Sequence, residues 1–167
     1  MIIGVGQVSH RPGAPDAAAA PDAIDLMTEA VRSASADTLA DSAQLLAQID
    51  TIAVVGGLWR YKNPAALVAA ELELSQPLHC ILTTFGGNLP IHSTHALAQR
   101  IQSGDIDLAV LAGGEANLSR RTQAKSGAEP RRRTETAGDD VEHWGPPLEM
   151  GDIVAVDRGG ETPRNSY

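Results

Sequence analysis

The sequence predicts an α/β fold with a mainly parallel sheet and helices on both faces. Three observations carry this. Short apolar runs alternate along the chain with segments whose apolar residues recur at helical spacing. The runs are nearly continuous, as strands buried on both faces of a parallel sheet are. Helix-start residues stand just ahead of the helical segments.

The elements follow in order. Ile2 to Val8, with Gly4 and Gly6, is short and apolar enough for a buried strand. Arg11 to Pro21 is rich in Pro and Ala and reads as a loop. Asp22 is placed to cap a helix running through Ile24, Met27, Ala30 and Val31. Asp50 to Val55 is a second buried strand, closed by Gly56-Gly57. Asn63-Pro64 starts a second helix, with Asn63 as N-cap and Pro64 in the first turn. Leu78 to Thr84 is a third strand. Asn88 caps a third helix, in whose first turn Pro90 is tolerated. Asp107 to Ala112 is a fourth strand. The order βαβαβαβ implies right-handed crossovers within one sheet.

The chain divides into three stretches. Residues 1–116 form the α/β unit. Residues 117–150 form a charged loop excursion with little apolar periodicity; Arg120, Arg121, Lys125, Arg131, Arg132 and Arg133 are set against Glu129, Glu135, Asp139, Asp140, Glu142 and Glu149. Residues 151–167 begin a returning segment, with Ile153 to Val156 a candidate strand, and the chain stops without a closing element.

Composition narrows the classes. At 167 residues the chain is long enough for one domain with a real core. A net charge of −8 argues against general nucleic-acid binding. No apolar stretch approaches the roughly 20 residues that span a bilayer, so no membrane partner is expected. One cysteine, Cys80, suits a reducing, cytoplasmic setting and excludes an intrachain disulfide.

The densest motif runs from Thr83-Thr84-Phe85-Gly86-Gly87-Asn88 through Ile101-Gln102-Ser103-Gly104-Asp105 to Ala112-Gly113-Gly114-Glu115-Ala116. It reads as strand, Gly-rich turn, helix, strand and Gly-Gly-Glu. With Ile2-Ile3-Gly4-Val5-Gly6-Gln7-Val8, Val54-Val55-Gly56-Gly57 and the tail Asp157-Arg158-Gly159, it resembles the N-terminal half of the thiolase superfamily. Within that superfamily it is most similar to the acetyl-CoA acetyltransferase-like branch.

The resemblance implies one βαβαβαββ half of a thiolase-like αβαβα sandwich. It further implies an acyl-CoA acyltransferase homologue in lipid metabolism, with acyl-CoA or CoA as ligand and no separate cofactor. In such a site a cysteine at a helix N-terminus attacks the thioester. The family spacing places that nucleophile at Gly87, which has no side chain, so no catalytic residue is assigned. The His and second Cys of the family's other half have no match here. The alternative is a non-catalytic acyl-CoA-binding or interaction protein that needs a partner half. A homo-oligomer or a separate second half would cover the surface left open, and the isolated chain is expected to self-associate.

The substrate-binding candidates are Gly86, Gly87, Asn88, His92, Arg120 and Arg121. For Gly86 to Asn88 two readings stand: a helix N-terminus that favours an anion or a polarised carbonyl, or glycines that only permit a tight turn. Arg120 and Arg121 belong to a basic run suited to CoA phosphates or to a solvated loop. His92 and His95, at i and i+3, are read as an interface or solvated face in preference to a metal site. Ile91, Thr94, Leu97, Ala98 and Ile101 are read as that helix's apolar stripe. Ser93 and Thr94 are weak replacement nucleophiles, without a base beside them. Gly4-Val5-Gly6 lacks the third glycine of a dinucleotide fingerprint. Cys80 is read as a core residue, and Glu115 as an acceptor for backbone N–H groups. His143-Trp144 is read as loop packing in preference to a cover for an acyl group.

Overall fold

The computed structural model describes residues 1–10, 20–74, 78–127, 133, 135 and 140–145. Within these, β1 (Thr51–Val54), β2 (His79–Thr83), β3 (Ala109–Ala112) and β4 (Val141–Trp144) form one sheet in the order β3-β1-β2-β4. Every pairing is parallel, with Thr51 opposite both His79 and Ala109, and Cys80 opposite Val141.

The helices α1 (Ala23–Ala36) and α3 (Pro64–Glu71) cover one face. They enclose the larger core of Ile24, Met27, Val31, Ile52, Val54, Val68 and Cys80. The helix α4 (Leu89–Ser103) lies on the other face over a smaller core of Ala53, Ile81, Leu97 and Ile106. The prediction of a parallel sheet with helices on both faces holds.

The caps follow from side-chain chemistry. Asp22 and Asp25 form a reciprocal capping box at the start of α1, both bonds at 2.9 Å. Asn63 Oδ1 accepts from the Ala66 amide at 2.9 Å, with Pro64 in the first turn of α3. Asn88 stands at the N-cap of α4 but makes no side-chain cap bond. A five-residue helix, α2 (Ser42–Leu46), was not legible in the sequence; Asp41 caps it.

Two expectations are corrected. Ile2 to Val8 is not a strand. It runs along α1 outside the sheet, with Ile2 71% and Val5 67% exposed. Gly4 and Gly6 permit this close approach to α1: a Cβ on Gly4 would lie 2.2 Å from the Ala34 carbonyl oxygen, and one on Gly6 2.1 Å from that of Ala30. The Val5 amide bonds to Asp37 Oδ2 at 3.0 Å.

The buried stripe of α4 is also different. Leu89, Ser93 and Leu97 face the sheet, while Ile91 is 77% and Ile101 37% exposed. Both stripes share Leu97, and the sheet selects the one rotated toward Leu89.

The charged excursion contributes secondary structure. It supplies α5 (Asn117–Ser126) and the edge strand β4. Arg131, Arg132 and the candidate strand Ile153 to Val156 lie outside the described residues. Among the described residues no helix is long and apolar enough to cross a membrane.

Candidate functional site

Because all four strands run the same way, their C-terminal ends share one edge. The chain leaves β1 toward α3 on one face and leaves β2 toward α4 on the other. The β1–β2 boundary is therefore the topological switch point, where open α/β sheets place ligands. Here the two exits touch. The Gly56 amide donates to Thr83 Oγ1 at 3.1 Å, and that hydroxyl donates to the Thr84 carbonyl at 2.8 Å.

Gly86, Gly87 and Asn88 form the turn from β2 into α4 at this edge. A Cβ built on Gly87 meets nothing within 4 Å, whereas one on Gly86 would lie 3.1 Å from Asn88 Oδ1. The turn is thus open at Gly87, at the N-terminus of a fifteen-residue helix.

Of the other substrate-binding candidates, His92 follows one turn into α4, its amide donating to the Asn88 carbonyl at 3.1 Å, but the two arginines are not gathered around the turn. Arg120 and Arg121 lie on α5, beyond β3 and on the far side of β1 from the Gly87 turn. Arg120 Nη1 donates to the Leu58 carbonyl at 2.8 Å and Nη2 to Asn117 Oδ1 at 2.5 Å. It pins the loop after β1, and Arg121 is exposed. Glu115 behaves as read, accepting from the Leu58 amide at 2.5 Å. Trp59 Nε1 donates to the Gly114 carbonyl at 2.9 Å, which locks the same loop against the end of β3.

His92 opens onto a groove of about 550 Å³ between α4 and β4, shared with Gln99, Arg100, His143 and Trp144. Arg100 and Trp144, in the wall of this groove, belong to a network that the sequence did not signal. Glu142 takes two bonds from Arg100, at 2.9 and 2.6 Å. It also receives Trp144 Nε1 at 2.7 Å and lies 2.8 Å from His79 Nε2. The Arg100 guanidinium sits 5.2 Å above the Trp144 ring centroid. The Arg100 hydrogen bonds hold the Glu142 carboxyl below its ordinary range, against the opposing effect of burial. Trp144 is therefore an anchor of β4 to α4.

Among the described residues no replacement nucleophile is assembled. Cys80 is 6% exposed in the core beneath α1 and α3, and burial pushes its thiol pKa up. Ser93 is fully buried on α4, with no partner for its hydroxyl. Thr94 Oγ1 is occupied by the Pro90 carbonyl at 2.8 Å. Among the described residues no group of three or more His, Cys, Asp or Glu is placed to hold a metal ion.

Comparison with known proteins agrees with this architecture. No family model matches the chain, and no curated protein matches it. Among solved structures it is similar to a monomeric SCP2-thiolase-like protein type 1 (STLP1) from Mycobacterium smegmatis, with 29% identity and a TM-score of 0.57. The match covers 70% of this chain and 23% of that one, so the chain spans about a quarter of that protein's length. The fold is thiolase-like: an α/β unit with an all-parallel four-stranded sheet and helices on both faces.

Proposed function

From a thiolase-like α/β unit whose elbow carries glycine, we propose that the chain is an acyl-CoA acyltransferase homologue that holds an acyl-CoA thioester without attacking it. The single observation behind this is the open space over Gly87 at the start of α4. Backbone N–H groups at a helix N-terminus favour a thioester carbonyl oxygen or a phosphate there. Calorimetry with acetyl-CoA is expected to give saturable binding at millimolar ligand or below. Gly87→Leu, which fills the open space, is expected to weaken it about tenfold, a loss of about 1.4 kcal/mol. Mass spectrometry of the wild type is expected to find no acetyl adduct. Absence of binding overturns the proposal, and an adduct with turnover favours the second reading, an acetyl-CoA acetyltransferase. That reading is supported by the order of the motifs and by the similarity in fold.

A partner surface belongs to the same proposal. The outer face of α4 carries Ile91, Ala98 and Ile101 to solvent, and a second α/β half or a second copy of this chain would cover it. Light scattering is expected to show association of the wild type and a shift toward monomer for Ile91→Asp/Ile101→Asp. A wild-type monomer at all concentrations would count against it. A cytoplasmic setting is consistent with the unpaired thiol of Cys80.

A further inference from the structure

Because the sheet is parallel throughout, connections into its strands lie at one edge and connections out of them at the other. The connections into β1 (37–50), β2 (72–78) and β3 (104–108) hold Asp37, Asp41, Asp50, Glu73, Asp105 and Asp107, and no Lys or Arg. All of these acids but Asp50 are exposed. The same edge collects the C-terminal ends of α1, α3 and α4, the negative poles of their dipoles. Neither α1 nor α3 has a base in its last turn, and Arg100 of α4 is held by Glu142. Acids at negative helix poles are unfavourable within one copy, and a cationic surface laid on this edge would offset that.

The opposite edge carries bases. The connection out of β1 (55–63) has Arg60 and Lys62 and no acid. The connection out of β3 leads into α5, which holds Arg120, Arg121 and Lys125 and no acid. Arg120 bonds the Leu58 carbonyl and Gln123 Nε2 reaches the Ala20 carbonyl at 3.4 Å, so this helix lies along the exit edge. Arg60, Lys62, Arg121 and Lys125 are exposed, and no ion pair among the described residues engages them. The acids nearby are already bonded: Asp22 and Asp25 to Arg133, Glu115 and Glu135 to backbone amides.

An acidic end and a basic end make the chain complementary in charge to a second copy of itself. We propose that copies associate head to tail, the basic face of α5 and the β1 exit of one copy docking on the acidic strand-entry edge of the next. Such a contact pairs unlike surfaces and leaves one of each free, so it extends an assembly and does not stop at a dimer. It uses neither the outer face of α4 nor the Gly87 turn.

The test is light scattering of the whole chain against concentration, at about 20 mM and about 0.5 M NaCl. Association is expected at the lower salt and dissociation at the higher, where screening confines charge attraction to a few ångström. Arg121→Glu/Lys125→Glu and Glu73→Lys/Asp107→Lys, all at exposed side chains, should each weaken association at least about tenfold at low salt. Mixed together, the two variants should associate again, because each acidic end then finds a basic one. Ile91→Ser/Ile101→Ser, which removes the apolar face of α4 without adding charge, should leave the salt-sensitive association in place. A wild type that is monomeric at low salt assigns α5 to a partner other than this chain and overturns the proposal. So do association unchanged at high salt, charge-reversed variants that stay apart on mixing, and loss of the salt-sensitive association in the α4 variant.

Discussion

Replacing Arg133 with methionine is expected to lower the unfolding free energy by about 3 kcal/mol, read from urea denaturation at pH 7. The Arg133 side chain is 6% exposed. Its guanidinium bonds Asp22 Oδ2 at 2.6 Å through Nε, and Asp25 and Glu71 through its two terminal nitrogens. It thereby joins the start of α1, the end of α3 and the charged excursion. Removing one partner of a buried ion pair costs about 3–5 kcal/mol. The low end applies because Asp22, Asp25 and Glu71 keep 16, 27 and 39% exposure and so retain some hydration. Asp25→Asn in the same background should restore part of the loss by relieving repulsion among the three carboxylates. Burial pushes the Asp22 carboxyl up, but the Arg133 hydrogen bond, the Asp25 amide and the Arg133 charge outweigh it and leave it below 3.8. A carboxyl depressed in the folded state stabilises the protein above its unfolded pKa and ceases to as pH falls through the folded value. The gap between wild type and Arg133→Met should therefore be constant from pH 5 to 7 and narrow below about pH 4. A gap under about 1 kcal/mol at pH 7 would show that the cluster contributes little net stability.

Gly56→Ala is expected to cost roughly 3 kcal/mol, at the top of the usual range for overpacking. A Cβ there would lie 2.5 Å from the Thr83 carbonyl oxygen and 2.9 Å from the Thr84 carbonyl carbon. Both atoms are backbone, so relief requires the β1 and β2 exits to part, and the Gly56–Thr83 bond goes with them. For a domain of this size the loss corresponds to a fall in Tm of roughly 6–12 °C. Gly87→Ala is the control: its Cβ meets nothing within 4 Å, and the change should be under about 1 kcal/mol of either sign. A Gly56→Ala protein as stable as wild type would mean that the two exits separate without penalty, leaving the switch point able to open for a ligand.

Much of the fold was legible before any contact was known. Three of the expected strands appear as β1, β2 and β3, and the caps at Asp22 and Asn63 do what their chemistry predicts. These signals are short-range: a capping box spans three residues, and a buried strand needs only four or five apolar ones. The Gly86–Asn88 turn was legible for the same reason, being punctuation between a strand and a helix. The separation of Arg120 and Arg121 from that turn was not, because it depends on β3 and β2 lying on opposite sides of β1. Nor was the part played by Arg133. In sequence it is one of several arginines in a charged run, yet its partners Asp22 and Asp25 stand 111 and 108 residues away.

From its residues alone, this chain is committed to alternating strands and helices, a buried parallel sheet, and a glycine turn between the strand and helix that became β2 and α4. Tertiary structure decided the rest. It rotated the buried stripe of α4 onto Leu89, Ser93 and Leu97, kept Ile2 to Val8 out of the sheet, and drew Glu142 and Trp144 onto Arg100. Each of these outcomes compares alternatives with similar local propensity, so only packing and charge pairing between distant segments could separate them.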